Sequence, residues 1–547
     1  MATNFRLIAR REGVALALLA STWCACSSSA DAQADGAFGG PPVVSVGGSS
    51  ATSPGASGGS FNIGTGGTSA LPPEMELDTT FRAPVATGRV LWSSNPDSGR
   101  VALIDAQTLK VRMTNAGFGP TYLAAVPSED GTDSAIVLNV GSHDASFMQA
   151  SADQIAVTAI PTNSGDNSWA ISRDGRFAIA WTDATQVQGT LDPSDGLSEL
   201  TVIDLSAMPP ASTRLSVGFR PSQIVFDATD AHAYAVVDEG ISIIDLSGTP
   251  LVSSLVTLSA PGTSARDVNI SPDGSFAVVR VNGNPKIDVV DFTSAGSVTQ
   301  TVTLESDATD LDLSADGTVA TAVLGNDNPP KVVRFPVPNP GDPSAFATVA
   351  IPGELVRSVT LAPNDQIALL YANAVPSSDL TLLDVSGSAG FRTVDLKGAV
   401  QKVFVSPDSS AAIALQLPPA GSTEKGLFSI VPTDVSASSA RPPEIVGTDA
   451  VPQDVAFSSP DVGKALVTVH DSASTVHGVY VIGLANLEQN FVPLASAPLP
   501  GATGIVPDVK VGFVAQQHPE GRITFINLDT GVTQTLTGFE IAASVVE

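Results

Sequence analysis

The chain has 547 residues, a formal net charge of −29 and few aromatic residues (5%). So acidic a surface repels phosphate backbones, which excludes nucleic acid as an expected partner. The 48 glycines and 40 prolines argue against long helices, and the only two cysteines lie close together near the N-terminus, which rules out a disulfide framework in the rest of the chain.

The first predicted element is a targeting segment. Arg6, Arg10 and Arg11 form a basic region, and the apolar run Val14–Ala20 follows it. This run is too short to span a bilayer as a stable helix, but its length and its basic flank are typical of an export signal. We therefore expect the mature protein to be exported.

Two cysteines follow the apolar run, and the small Ala25 directly precedes Cys26. The segment resembles a bacterial lipoprotein signal, and this resemblance implies a signal over residues 1–26 with Cys26 acylated as the first mature residue. It also implies an outer-membrane or cell-surface location. The alternative is ordinary cleavage after Ala30–Ala32, which would give a periplasmic or secreted protein.

A polar, small-residue stretch separates the signal from the rest of the chain, from residue 27 to 83. It contains Gly47–Ser50, Gly58–Ser60 and Gly64–Gly67. Such a composition has too little apolar surface to offset the entropy lost on ordering. We predict a flexible tether here, which would hold a globular body over residues 84–547 away from a membrane.

The globular body is organised around a repeat, which Arg266–Phe292 shows most clearly. A short apolar strand is followed by the turn Ser271–Gly274, a second strand, a loop, and a third strand that ends in Asp291. Proline sets φ in such a turn, aspartate bonds the nearby backbone, and glycine accepts a positive φ. The pattern predicts consecutive antiparallel strands.

The repeat recurs along the body at steps of about 41 to 55 residues, close to the period of propeller blades. Two markers carry it: a turn after the first strand and the end of the third strand, which is an aspartate in most repeats. Turn signals begin at Ser128, Ser172, Asp227, Ser271, Ser314, Ala362, Ser406, Ser459 and Val506, and third strands end at Asp105, Asp204, Asp245, Asp291, Asp384, Ile482 and Asn527.

These turns and strand ends resemble the YVTN/WD40-like β-propellers, which include lactonase-like and quinoprotein amine dehydrogenase-like families. The resemblance implies an all-β ring of four-stranded blades from about Pro84 to the C-terminus. It is weak for function, because these families use one architecture for unrelated activities. A single blade cannot bury both of its faces, so the blades must close into a ring.

We count ten repeats. The first, Gly88–Asn115, lacks an innermost strand, and we expect the strand-like segment Phe539–Glu547 to supply it and close one ring. Eight or nine blades would result if Tyr122–Pro161 or Val506–Gly538 were irregular. Two smaller rings are a further alternative, but no polar linker divides the body, so we favour one ring.

In a propeller the first strand of each blade lines the central channel, and the loop before it shapes one face. The residues at this entry are polar, charged or aromatic, as expected for the floor of a site for a small polar ligand or a peptide. The predicted ring comprises Tyr122, Trp169, Gln223, Arg266, Asp267, Asp310, Arg357, Lys402 and Asp454. Solvation of a water-filled channel and ion pairs such as Arg266 with Asp310 would explain the same residues without a ligand.

Catalytic and cofactor motifs are absent from the sequence. The five histidines occur in no metalloprotease or nucleophile-elbow pattern, and His470 and His477 flank a loop in which a metal site is conceivable beside Asp471. We expect no cofactor. Calcium is an alternative at the acid-rich stretches Asp192–Gly196 and Asp307–Asp316, although turn formation also accounts for these aspartates.

These features predict a lipid-anchored β-propeller that acts as a binding or scaffolding module at the cell envelope. Its partner would be an envelope protein, a peptide or a small polar ligand, its contact with the membrane would be through the anchor alone, and it would be a monomer. A lactonase-like enzyme and a structural surface-layer component are the alternatives. We favour a role without catalysis over an enzyme.

Overall fold

The computed structural model describes Cys26–Ser27 and residues 84–542, apart from loop segments 129–130, 185–186, 188–195, 249–250, 259–265, 294–297, 388–389, 437–439 and 472–475. The predicted signal and the predicted tether therefore lie outside the described residues, except for Cys26–Ser27. These two residues pair antiparallel with Val268 and Asp267. None of the described segments forms a helix long and apolar enough to cross a membrane.

The described body consists of ten antiparallel sheets of four strands each, taken in sequence order. We call them blades 1 to 10, with each first strand innermost. Blades 1 to 5 comprise, in turn, Val85–Thr87, Val90–Asn95, Arg100–Asp105, Val111–Asn115; Pro120–Val126, Ser134–Asn139, Asp144–Ala150, Ile155–Pro161; Ser168–Ile171, Phe177–Trp181, Glu199–Asp204, Ala211–Ser216; Gln223–Phe226, His232–Val237, Gly240–Asp245, Val252–Thr257; and Arg266–Ile270, Phe276–Val281, Lys286–Asp291, Val298–Thr303.

Blades 6 to 10 repeat the same order of strands, and two short 3-10 turns accompany the described strands. The strands are Asp310–Leu313, Val319–Leu324, Lys331–Pro336, Ala347–Ala350; Ser358–Leu361, Ile367–Tyr371, Asp379–Asp384, Phe391–Asp395; Ala399–Val405, Ala411–Leu417, Gly426–Pro432, Glu444–Thr448; Val451–Phe457, Lys464–His470, His477–Gly483, Gln489–Pro493; and Pro498–Val506, Val511–Gln516, Arg522–Asn527, Thr533–Thr537, and the 3-10 turns are Pro343–Ala345 and Phe539–Ile541.

Ten apolar clusters join the blades, and each cluster combines residues of two neighbouring blades. The tenth interface joins the two ends of the described body: Leu91 and Ile104 of blade 1 pack with Phe513 and Ile523 of blade 10. Apolar burial drives this packing, because each blade leaves two apolar faces to cover. The prediction of one ten-bladed ring is confirmed, and the fold is an all-β propeller.

Two details of the predicted closure were wrong. Blade 1 does not lack its innermost strand, because Val85–Thr87 pairs with Val90–Trp92. The described part of the C-terminal segment forms the 3-10 turn Phe539–Ile541 instead of a strand. This turn nevertheless lies at the junction, where the buried Ile541 joins the cluster between blades 10 and 1. Residues 543–547 lie outside the described part.

The turn after each first strand explains the sequence repeat. In blade 5 the buried Ser271 hydroxyl donates to Asp273 at 2.7 Å and accepts from the backbone N–H of Phe276 at 3.1 Å. Gly274 has φ of 68°, which a residue with a side chain adopts only at a cost. Serine, aspartate and glycine thus have separate tasks, and the turn forms from local interactions alone.

In two blades an aspartate replaces the glycine of this turn, and its side chain links the blade to its neighbour. Asp365 of blade 7 has φ of 55°, and its carboxylate accepts the backbone N–H groups of Ala315 at 2.5 Å and Asp316 at 3.3 Å, both in the blade 6 turn. Asp230 binds the blade 3 turn in the same way. These bonds offset the backbone strain of a positive φ, because charged acceptors strengthen hydrogen bonds to N–H groups.

Candidate functional site

The predicted channel residues lie where the first strands begin, at the end of the ring that we call the mouth. The first strands of blades 2 to 6, 8 and 9 carry Tyr122, Trp169, Gln223, Arg266, Asp267, Asp310, Lys402 and Asp454, and Arg357 directly precedes the first strand of blade 7. The strand assignment of these positions follows from the repeat. Their contacts come from the three-dimensional structure, and those contacts divide the ring into an aromatic part and a charged part.

The aromatic part joins blades 2 and 3. The indole Nε1 of Trp169 donates to the backbone carbonyl of Tyr122 at 3.0 Å. Both side chains are partly buried and pack against the apolar cluster between the two blades. An aromatic ring with an apolar body and a bonded polar tip is well suited to the edge of a water-filled site. Tyr122 and Trp169 therefore form a fixed wall at the mouth.

The charged part is centred on blades 5 and 6. Arg280, on the second strand of blade 5, donates from Nε to Asp267 at 3.1 Å and lies 4.0 Å from Asp310. All three side chains are almost fully buried. A buried arginine between two carboxylates keeps the network close to charge balance, which a buried acid pair alone could not do. The Arg266 side chain, for which we predicted an ion pair with Asp310, lies outside the described side chains.

Blade 6 binds blade 7 through two aspartates that are two positions apart on its first strand. Asp310 accepts the backbone N–H of Val359 at 2.8 Å, and Asp312 accepts that of Leu361 at 3.0 Å. The inner edge of blade 7 would otherwise present these N–H groups unpaired, as sheet edges do. The two carboxylates thus replace the backbone carbonyls that a neighbouring strand would offer to these N–H groups in an ordinary sheet.

The same device recurs between blades 9 and 10, where Asp454 accepts the backbone N–H of Thr503. Asp454 also accepts from Val455 at 2.9 Å. Lys402 of blade 8 attracts the Asp454 carboxylate and places its ammonium 5.0 Å from the centroid of the Phe404 ring. The predicted charged residues therefore connect consecutive blades along the channel wall.

Arg357 lies deeper than the other members of the ring, with 2% of its surface exposed. Its guanidinium donates to Asn326 at 2.6 Å, and its carbonyl accepts from the Thr309 hydroxyl at 2.6 Å. A side chain so enclosed by protein is not presented to the channel. Among the ring members whose side chains are described, a ligand can reach those that keep part of their surface exposed: Tyr122, Trp169, Gln223, Lys402 and Asp454.

Burial raises the pKa of several acids in the channel wall. Loss of water and, second, the neighbouring Asp310 carboxylate together raise the pKa of Asp312 to about 7. The pKa of Asp267 is raised to about 6 by burial, against the opposing attraction of Arg280. Burial likewise raises the pKa of Asp454 to about 6, although Lys402 lowers it. At neutral pH this wall therefore carries less negative charge than its sequence indicates.

We expect the body to lose stability as pH rises from about 5 to 8, because Asp312 has a folded pKa of about 7 and an ordinary value of 3.8. The folded state binds this proton more tightly than the unfolded state, so its contribution is complete at low pH and is lost as pH passes the folded pKa. Part of Asp312 remains open to the channel. We therefore compare the free energy of unfolding of Asp312→Asn with that of the native chain at each pH. Between pH 5 and pH 8 we expect this difference to shift in favour of the variant by only about 1–2 kcal/mol.

Urea unfolding at the two pH values measures this difference. The asparagine variant keeps a carbonyl acceptor for the Leu361 N–H, so it tests the charge and not the hydrogen bond. Replacement of the exposed Asp153 by asparagine is the control, since that residue lies far from the channel wall. If the native and Asp312→Asn chains differed in free energy of unfolding by the same amount at pH 5 and at pH 8, the result would contradict the proposed protonation.

The histidines lie outside the channel wall. His470 and His477 are opposite each other on the second and third strands of blade 9, with ring centroids 5.0 Å apart. Burial and the neighbouring His477 lower the pKa of His470. The described residues contain no group of three or more His, Cys, Asp or Glu side chains that could hold a metal ion. Within the predicted calcium stretches, only Gly196 of Asp192–Gly196 is described, and Asp307 accepts from Asn326 at 3.1 Å.

Arg280 and Asp312 complete the charged network and were not among the channel residues predicted from the sequence. Asp312 could have been found, because the spacing Asp310, Asp312 places both side chains on one face of a strand. Arg280 stands near the end of a second strand among apolar residues. Nothing in the local sequence shows that it faces two acids from other strands.

A groove formed by described residues lies on the opposite face of the ring, between blades 10 and 1. It has a volume of about 740 Å³ and is lined by turn residues that include Gln107, Lys510 and Val532. It is open to solvent and brings together no acid–base or metal-binding set. The mouth, where the polar and aromatic side chains are fixed by neighbouring blades, is therefore the better candidate site.

No protein-family model and no curated protein matches this chain. Among solved structures, a eukaryotic initiation factor aligns over 77% of this chain and 96% of its own, at 13% identity and a TM-score of 0.49. AztD from Citrobacter koseri aligns over 76% of this chain and 97% of its own, at 13% identity and a TM-score of 0.39. The Cps50 (Swd1) β-propeller domain from Myceliophteria thermophila aligns over 55% of this chain and 93% of its own, at 11% identity and a TM-score of 0.33.

Identities and TM-scores this low carry no argument about ligand, activity or location. The fold assignment rests on the ten sheets and on the apolar cluster that joins blade 10 to blade 1. On that basis the chain is a ten-bladed β-propeller, and its mouth is lined by side chains that neighbouring blades hold in place.

Proposed function

We propose that this protein is an exported β-propeller, anchored through lipid at Cys26, that acts as a binding or scaffolding module at the cell envelope. The basic segment before Val14–Ala20 and the position of Cys26 support export and anchoring. The anchor would hold it at the outer membrane or cell surface. The proposed unit is a monomer, since the ten blades already cover one another in a closed ring.

The observation that carries the binding role is the rigid mouth. Trp169 is bonded to the backbone of Tyr122, and Asp454 is bonded to the backbone of Thr503 in the next blade. Side chains that are fixed before a ligand arrives lose little conformational entropy on binding. A concave wall with few, well-placed polar groups and aromatic surface is typical of ligand sites.

The chemistry of the mouth favours a polar ligand or an extended peptide of an envelope protein. Gln223 and Lys402 offer an amide and an ammonium, while Tyr122 and Trp169 offer aromatic surface for apolar groups. The acidic surface of the whole chain disfavours nucleic acid. In this proposal the membrane is contacted by the anchor alone.

Affinity capture from detergent-solubilised envelopes tests the binding role, with the full-length protein as bait. We expect the native protein to enrich a partner, and the double variant Gln223→Ala, Lys402→Ala to lose most of it, because both side chains are partly exposed at the mouth. Lys286→Ala, an exposed lysine on the third strand of blade 5, is the matched control.

Native mass spectrometry of the captured protein extends the test to small ligands, which would add mass to the native chain and not to the double variant. Unfolding curves must be the same for all three proteins. Capture that the double variant retains in full would reject the mouth as the binding site. A native bait that enriches neither protein nor small ligand over a tether-only bait would reject the binding role.

A further inference from the structure

Two histidines face each other at the mouth side of blade 9, away from the channel wall. His470 ends the second strand and His477 begins the third, and the two residues are direct partners in the register of the sheet. Their ring centroids are 5.0 Å apart and their planes are inclined at 56°. Directly opposed residues of antiparallel strands have neighbouring side chains, so the backbone fixes this proximity.

The second observation is the Nδ1 nitrogen of His477, a buried polar atom. Its Nδ1 is enclosed by protein and has no hydrogen-bond partner among the described residues, which leave out the adjoining segment 472–475. A buried polar atom without a partner costs about 1–3 kcal/mol, and a bound water or ion is one of the known explanations for such an atom in a native protein. This observation is independent of the distance between the rings.

Both the spacing and the donor type suit a metal ion. A tetrahedral ion binds imidazole nitrogen at about 2.0–2.1 Å, which requires two rings to approach as closely as these do. Imidazole nitrogen is a suitable ligand for Zn²⁺, Cu²⁺ and Ni²⁺. The adjacent Asp471 carboxylate and the net charge of −29 attract cations to this face, although Lys425 lies 3.8 Å from Asp471.

We propose that His470 and His477 form a two-imidazole clamp for a divalent transition-metal ion. The described residues hold no larger metal-binding group, so water would complete the coordination. Such a site binds more weakly than a closed four-ligand site, and its ion exchanges with solution. The clamp is separate from the mouth residues and does not depend on the proposed function.

Zn²⁺ titration of the full-length, tag-free protein by calorimetry tests the clamp. We expect one ion per chain, with affinity weakened more than about tenfold in His470→Asn and in His477→Asn, because even residues behind metal ligands change affinity by 10–100-fold. Cu²⁺ bound to the native protein should show electron paramagnetic resonance splitting from two nitrogens, and Cu²⁺ bound to either variant from at most one.

His143→Asn is the matched control, since His143 is an exposed histidine on a turn with φ of 54°, which asparagine also tolerates. This variant should bind Zn²⁺ as the native protein does. Equal melting temperatures of the metal-free proteins exclude misfolding as the cause of any loss. Zn²⁺ binding that persists in the double histidine variant, or no binding to the native protein up to about 1 mM, would overturn the proposal.

Discussion

Replacing Cys26 by serine is expected to move the protein out of the membrane fraction, or to leave it unprocessed with its signal attached. A single acyl chain holds a protein on a membrane only marginally, whereas the two or three chains of a processed lipoprotein hold it stably. Every chain would be attached at or through Cys26, so loss of its sulfur removes the whole anchor. Fractionation of cells and metabolic labelling with a clickable fatty acid measure both effects.

The other cysteine provides the control. Cys24 would leave with the signal, so Cys24→Ser should keep both labelling and membrane association. Labelling that survives Cys26→Ser and vanishes in Cys24→Ser would move the processing site. A native protein without label, with a mature N-terminus near Gln33, would show ordinary secretion instead.

Ile541→Ala is expected to destabilise the ring by about 2–4 kcal/mol, because it opens a cavity in the apolar cluster that joins blades 10 and 1. Ile541 is 5% exposed and packs with residues of both blades. Its turn is further held by Asn95, which donates to the carbonyl of Phe539, and by Arg100, which pairs with Glu540 at 2.9 Å. Urea unfolding of the body measures the change.

Phe539→Ala is the control within the same turn, since Phe539 is 49% exposed and its loss should change the free energy of unfolding by less than about 1 kcal/mol. Removal of residues 539–547 should cost more than Ile541→Ala alone, because it also removes the bonds to Asn95 and Arg100. Equal stability of the truncated and complete bodies would show that the C-terminal turn does not hold the ring closed.

The amino-acid sequence determined the strands, the turns and the number of repeats, because these depend on interactions within a few residues. The bonds of Ser271 with Asp273 and Phe276 need only the local chain, and the positive φ of Gly274 needs only a missing side chain. Each further copy of this turn in the sequence therefore indicates a further blade. The mouth positions follow from the same register, because a first strand always begins at the same end.

The tertiary structure alone decided how the ring closes and what the inner acids do. One partner of Asp310 is the N–H of Val359, 49 residues away, and the three-residue strand Val85–Thr87 completes blade 1. An isolated aspartate can bind a ligand, pair with an arginine or cap a neighbouring strand. The choice depends on which backbone edge the ring brings beside it, and that edge is placed by packing between blades, which no local sequence pattern encodes.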